Sequence, residues 1–473
     1  MSWHTLILVI YQVIVISTII HVVMENRQPA KTMAWGMVIF FVPVIGIIAY
    51  LFLGVNTRRE RMVSQRSMDQ LTRRTISGFV EQGNLQLPEV SRPVIDLFVN
   101  QSFSLPFNNN KVEILTDGYE FFPSLLRDIA SARDHIHIDV YIFEDDALGR
   151  LVSDALIAKA RQGVEVRVLY DDVGCWSVKN RFFERMRNEG IEVEPFMPVR
   201  YPTFARKMNY RNHRKIIIID GRVGYIGGMN IALRYVKGRH NRGWRDTMMR
   251  IEGSGVYSLQ RSFLIDWYFV DRTQLSDKRF YPKFEDESVL GGLLQTVTSA
   301  PLAPYPEIMQ GYVRIILSAK KYIFIQSPYF LPTDIVFFAL KTAVASGVDV
   351  RVMVPRKTDG WFVEWGSRSY LREAQEAGIQ VLLYEPRFLH AKMLVCDDHF
   401  CTCGSTNIDF RSFLNNFEAN TFIYDEAVAL QMKDIFLQDA KQSTPLTSLP
   451  KRIHPNFLTR LGESVMRLLS PLL

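Results

Sequence analysis

Cysteine is scarce in this 473-residue sequence: there are four, two of them as close together as Cys401 and Cys403. So few at such spacing make no disulfide framework, which fits a reducing compartment or a chain indifferent to redox. No Cys/His spacing reads as a zinc site. Asp171 and Asp172, like the run Asp139, Glu144, Asp145 and Asp146, lack further carboxylates at suggestive spacing and read as strand-end residues. The sequence therefore implies no metal and no cofactor. Low-complexity segments are also missing. With 48% hydrophobic and 22% charged residues, a wholly disordered or collagen-like chain is excluded. Charge of one sign is only mildly in excess, 56 Lys+Arg against 49 Asp+Glu for a net +7, which hints at an anionic partner.

Charge is absent altogether from residues 3–24 and 32–55. Each run is long enough to cross a hydrocarbon core of about 30 Å as a helix. The first has no basic segment ahead of it and no small-residue cleavage site behind it, which argues against a cleaved signal peptide. The loop between them carries Arg27 and Lys31, whereas Arg58, Arg59, Arg61, Arg66, Arg73 and Arg74 follow the second. This imbalance predicts a transmembrane hairpin over residues 1–57, with both ends and the rest of the chain on the cytoplasmic side of the cell membrane. Residues 58–110, polar with scattered Gly, Asn and Pro, read as a juxtamembrane connector.

The remainder repeats itself once. SARDHIHIDVYIF (131–143) matches SAKKYIFIQSPYF (318–330), GVEVRVLY (163–170) matches GVDVRVMV (347–354), GIEV (190–193) matches GIQV (378–381), and HRKIIIID (213–220) matches HAKMLVCD (390–397). Order is kept, with offsets of 187, 184, 188 and 177 residues. Two long copies mean a duplicated domain rather than a solenoid. β-rich runs alternate with helical stretches such as ALGRLVSDALIAKARQG, which ends on Gly163. The expectation is an α/β fold of two similar halves, 111–300 and 301–473, each a sheet covered by helices on both faces.

Both copies carry the same polar constellation. The first reads His213-x-Lys215-x4-Asp220 with Asn230 beyond it, and the second His390-x-Lys392-x4-Asp397 with Asn407 beyond it; in each, Asn follows His by 17 residues. His and Lys two residues apart on a strand share a face. Alone, one such motif is a weak signal, but two at equivalent places in a duplication are not coincidence. Two imidazoles, two ammonium groups and two amides converging on one point suit a phosphodiester. Lysines and amides bind the non-bridging oxygens. One His attacks phosphorus, and the other protonates the leaving alkoxide and later deprotonates an incoming alcohol. Asp246, 33 residues after the first His, and Glu418, 28 after the second, are candidates to orient the rings through their other nitrogens. Copy one has Gly228 and Met229 where copy two has Ser405 and Thr406, an asymmetry that bears on which half holds the phosphoryl oxygen.

The duplicated HxKxxxxD motif resembles the phospholipase D superfamily. With the N-terminal runs, and with the stretches ENRQPAKTMAW (25–35), FVPVIGIIAYLFLG (41–54), QSPYFLPTD (326–334), GSTNIDFRSFLNNFE (404–418) and SPLL (470–473), the chain closely resembles bacterial cardiolipin synthases of the phospholipase D type, end to end. That resemblance implies two phospholipase D-like α-β-α halves packed pseudo-symmetrically around one site. It implies transfer of a phosphatidyl group from one phosphatidylglycerol to another, releasing glycerol. It also implies His213 as nucleophile and His390 as acid/base, which the two equivalent motifs do not themselves decide. The alternative on the same fold is a phosphodiesterase that hydrolyses phospholipid or nucleic acid; a non-catalytic membrane scaffold would not need both motifs whole. The hairpin argues against a freely diffusing nuclease, so no nucleic-acid partner is expected.

Two further features stand out. A basic cluster with interleaved aromatics surrounds the first motif: Arg200, Arg206, Lys207, Arg211 and Arg214, then Arg234, Lys237, Arg239, Arg242 and Arg245, among Tyr201, Phe204, Tyr210 and Tyr235. Near a membrane it suits anionic headgroups. At the C-terminus, Phe457, Leu458, Leu461, Val465, Met466, Leu468 and Leu469 recur at helical spacing. They suit an amphipathic helix lying on a bilayer or docked on the core.

Overall fold

The computed structural model describes residues 3–24, 29–50, 87–199, 210–238, 243–284, 291–301, 303, 305–468 and 470. The arginines between 58 and 74, and Arg200, Arg206, Lys207, Arg239 and Arg242 with Tyr201 and Phe204, lie outside the described residues.

In the first half, β1 (Asn110–Asp117), β2 (His135–Val140), β3 (Glu165–Asp171), β4 (Glu192–Phe196), β5 (Lys215–Ile219), β6 (Val223–Gly227) and β7 (Arg245–Gly253) make a sheet in the order β1-β7-β6-β5-β2-β3-β4. In the second, the strands are β8 (Leu294–Ser299), β9 (Tyr322–Gln326), β10 (Phe330–Leu331), β11 (Asp349–Pro355), β12 (Gln380–Tyr384), β13 (Met393–Cys396), β14 (Phe400–Gly404), β15 (Ile408–Asp409), β16 (Glu418–Ile423) and β17 (Ser443–Pro445). Its sheet runs β17-β12-β11-β9-β13-β14-β16-β8, and β10 pairs with β15 apart from it. Apart from the added edge strand β17, the two orders correspond strand for strand, so the sequence repeat is a repeat of topology.

Strand alternation builds the layers. In β5, Ile217 and Ile219 pack outward under helices Gly118–Ser131 and Ala147–Ala160, while Ile216 and Ile218 face inward. In β13, Leu394 and Cys396 pack outward under Glu307–Ser318 and Asp334–Ala345, while Met393 and Val395 face inward. The inward faces share one apolar cluster with helices Val256–Asp271 and Glu426–Lys441. The two sheets thus face each other across a common core. Cys401 and Cys403 lie in β14 within it, unpaired and buried.

Two segments ahead of residue 301 belong to the second half, one of them β8, the counterpart of β1. β8 lies ahead of residue 301, where the second half was expected to begin, yet it pairs with β16 in the second sheet. Helix Arg92–Ser102, within the connector, puts Val94, Ile95 and Phe98 into the second half's core.

The N-terminal expectation is met in part. Trp3–Met24 forms one unbroken, charge-free helix long and apolar enough to cross a membrane. The second run is described as far as residue 50. It is helical over Pro29–Phe41 and again over Pro43–Ala49, broken at Val42, because Pro43 lacks the N–H that a continuous helix requires. Residues 51–55 lie outside the described residues. Val22, Ile39 and Tyr50 pack together where these helices meet.

Candidate active site

Each HxKxxxxD motif enters the fold at the same strand end. Lys215 opens β5 opposite Val140, the last residue of β2. Met393 opens β13 opposite Gln326, the last residue of β9. His213 and His390 sit just ahead of these strands, where the halves are stitched together by backbone bonds. His213 N donates to Phe417 O at 2.9 Å, and His390 N donates to Arg245 O at 2.7 Å.

This stitching crosses the carboxylates over. His213 Nδ1 lies 3.0 and 3.1 Å from the two oxygens of Glu418, a second-half residue. His390 Nδ1 lies 2.6 Å from Asp246 Oδ2, a first-half residue. Spacing along the chain suggested a partner within each copy; the structure instead gives each histidine the other copy's acid. Both carboxylates are fully buried. Ser405 Oγ donates to Glu418 Oε2, and Asn416 Nδ2 donates to Oε1 at 3.3 Å. On the other side, Thr247 N donates to Asp246 Oδ1 at 2.7 Å. The asymmetry at Gly228 and Ser405 now has a cause. A Cβ on Gly228 would stand 2.2 Å from Asp246 Oδ1, so that position must be bare, whereas Ser405 serves as a donor to the longer Glu418.

The lysines lie beside the rings. Lys215 Nζ donates to His213 O at 2.6 Å and stands 5.3 Å from the Tyr141 ring centroid, while Lys392 Nζ lies 3.0 Å from His390 Nδ1. Burial lowers both ammonium pKa values, that of Lys215 to about 7. Burial also lowers His213, against the opposing pull of Glu418, with the charges of Lys215 and Lys392 adding to the decrease. His390 falls to about 4 through burial, then the Lys392 charge and, more weakly, Lys215. Each histidine therefore feels the lysine of the other half, so the two motifs share one electrostatic site. For Glu418, burial opposes ionisation but is outweighed by His213, Lys215 and Ser405, and its pKa is lowered.

Not every expected residue converges here. Asp220 and Asp397 sit at the far end of β5 and β13, in left-handed backbone with φ of 53° and 51°. Asp220 accepts from the N–H groups of Arg133, Asp134 and His135 at 2.8, 2.8 and 3.0 Å. Asp397 does the same for Lys320, Lys321 and Tyr322 at 2.6, 2.9 and 2.8 Å. A strand's length separates these two members of the motif from the histidines, and they tie down the chain entering β2 and β9. Asn230 is engaged as well, accepting from Ile142 N and donating to Tyr235 OH. Asn407, by contrast, keeps its Oδ1 without a partner among the described residues.

Sequence reasoning passed over the aromatic wall. Tyr141 lies 5.0 Å from His213 edge to face, while Trp244 lies 5.0 Å and Phe388 5.9 Å from His390. Asp171 accepts from Asn212 N at 2.9 Å, fixing the residue before His213. Among the described residues no three His, Cys, Asp or Glu side chains are grouped to hold a metal.

The sequence matches the family described as "Cardiolipin synthase, PLD-like domain" over residues 125–267 and 312–440. It is 37% identical to the major cardiolipin synthase ClsA of Bacillus subtilis over 470 residues, covering 97% of each chain. It is 38% identical to cardiolipin synthase 1 of Staphylococcus epidermidis, covering 98% of this chain and 96% of that one. The chain belongs to the cardiolipin synthase family of phospholipase D-like proteins. Residues 13–54 match a second family, phospholipase D-nuclease N-terminal. The fold is shared more widely than the sequence: phosphatidylserine synthase of Haemophilus influenzae superposes with a TM-score of 0.62 at 14% identity, covering 81% of this chain and all of that one.

Proposed function

We propose that this cardiolipin synthase family member moves a phosphatidyl group from one phosphatidylglycerol to a hydroxyl of a second, giving cardiolipin and glycerol. The observation that carries the mechanism is the crossed pairing of each histidine with the other half's carboxylate. Glu418 accepts from Nδ1–H of His213, leaving the Nε2 lone pair to attack phosphorus. As the N–P bond forms, the P–O bond to glycerol breaks, and His390 gives its proton to the departing alkoxide. The second phosphatidylglycerol then loses its hydroxyl proton to His390 and attacks phosphorus; the P–N bond breaks and His213 is regenerated. Lys215 and Lys392 receive the non-bridging oxygens. Burial holds the His390 pKa down, with the two lysine charges adding to it; the anionic phosphodiester offsets those charges, so substrate entry favours protonation of the acid.

Residues 111–300 and 301–473 are read as the two catalytic halves and 58–110 as the connector. The charge-free helix Trp3–Met24 supports membrane anchorage, and the six arginines after residue 57 favour a re-entering second segment with the catalytic region cytoplasmic. Labelled phosphatidylglycerol incubated with membranes holding the protein should give cardiolipin and glycerol. Phosphatidic acid as sole product, or full activity in His213→Ala, would refute the reading. A reporter fused after residue 473 should report a cytoplasmic location.

A further inference from the structure

The active-site end of both sheets carries exposed tryptophan. Trp176 lies five residues beyond Asp171, the end of β3, and Trp361 six beyond Pro355, the end of β11. They are 66% and 59% exposed. β3 runs parallel to β2 and β11 parallel to β9, so both tryptophans emerge at the strand ends where His213 and His390 stand. Trp176 is close in the chain to Gly174, where any Cβ would strike the Tyr141 carbonyl, and the Tyr141 ring is against His213. Trp361 stacks on Phe362, itself exposed, with centroids 3.6 Å apart.

Next to Trp361 the last helix, Phe457–Leu468, is packed inside out. Its polar and small residues face the protein. Glu463 is buried against Arg372 at 2.6 Å, Gly462 packs on Trp365, and Arg467 lies 4.1 Å from the Tyr370 ring centroid. Its apolar residues Phe457, Leu458, Leu461, Val465 and Leu468 face away, exposed. A helix docked on a water-soluble surface has the reverse polarity. The pairings of 462 with 365 and 467 with 370 run this helix alongside Trp361–Glu376 in the same direction, bringing its apolar start to the Trp361 end.

We infer that Trp176, Trp361 with Phe362, and the outward face of the C-terminal helix form a rim that seats the active-site mouth on a bilayer containing anionic lipid. Tryptophan favours the membrane–water interface, and an outward apolar stripe requires an apolar medium. Exposed Lys179 and Arg181 beside Trp176, Lys357 beside Trp361 and Arg460 on the last helix supply the charge that anionic headgroups complement. The inference rests on the lipid-substrate reading of the same site and adds how that site meets its substrate.

The four native cysteines are buried, so a thiol-reactive fluorophore can be directed to introduced sites in the full chain. Trp176→Cys and Trp361→Cys, labelled and reconstituted into phosphatidylglycerol vesicles with brominated acyl chains, should both be quenched. Gln162→Cys, at the opposite strand end, should not. Loss of quenching at either tryptophan position, equal quenching at 162, or cross-linking between copies in place of quenching would overturn the rim. In parallel, Trp176→Ala/Trp361→Ala should raise the KM for vesicle phosphatidylglycerol about tenfold while leaving turnover of monomeric short-chain phosphatidylglycerol unchanged. Equal loss on both substrates would overturn the rim, whereas wild-type protein that makes no cardiolipin from either would overturn the functional reading instead.

Discussion

Replacing Glu418 by Gln tests the crossed site most directly. The side chain keeps its length and can still accept from His213 Nδ1, but it no longer carries charge. In the proposed mechanism His213 attacks phosphorus and positive charge builds on the ring, and the carboxylate at 3.0 and 3.1 Å is the group placed to balance it. A hydrogen bond to a charged group contributes about 1.5–3 kcal/mol, which corresponds to a fall in cardiolipin formation of about 10- to 150-fold. The pH profile supplies a second signature. The nucleophile must be neutral, so the rate falls as pH drops through the His213 pKa. Glu418 raises that pKa against burial and Lys215. Removing its charge must lower the pKa, and the acid limb should move to lower pH even as the maximum rate drops. The assay is phosphatidylglycerol-to-cardiolipin conversion across pH 4–8, with trapping of the labelled phosphoenzyme. An undiminished rate, or an acid limb shifted upward, would refute the assignment of Glu418 to His213.

Other consequences follow from the same geometry. Gly228→Ala puts a Cβ where the Asp246 carboxylate stands; the protein should remain folded by circular dichroism while losing most activity, and an active variant would show that the Asp246–His390 contact is dispensable. Asp220→Ala removes the acceptor of three backbone N–H bonds and should cost about 2–4 kcal/mol of stability, read as a lowered urea midpoint, with activity per folded molecule largely kept. Burial lowers the Lys215 pKa to about 7 in the folded protein, against an ordinary value of 10.5. The native state therefore binds fewer protons than the unfolded one between those values. Stability should climb with pH through that window by up to about 1.4 kcal/mol per unit, and Lys215→Met should lack that part of the slope; parallel unfolding curves at pH 7.5 and 9.5 would contradict it.

What the sequence disclosed and what it hid divide along a physical line. Strand alternation, helix periodicity and the repeated motif are local, and they were legible. Ile216–Ile219 and Met393–Cys396 are strands, and His and Lys do emerge together ahead of them. The place of Asp220 and Asp397 was not legible, because motif membership does not say which end of a strand a side chain serves. The missing N–H of Pro43 divides the helical part of the second charge-free run. The pairing of acids with histidines was hidden for a deeper reason: it is a property of the interface. Asp246 follows Arg245, whose N–H bonds to Phe388 O and whose C=O accepts from His390 N; Glu418 follows Phe417, which exchanges backbone bonds with Arg211 and His213. Each half therefore brings its acid to the other's histidine through a main-chain contact that exists only after docking. Neither half by itself holds an oriented imidazole. The two copies make one site that requires both. The small departures from symmetry, Gly228 with Asp246 against Ser405 with Glu418, give the two imidazoles the unequal surroundings that one nucleophile and one acid require.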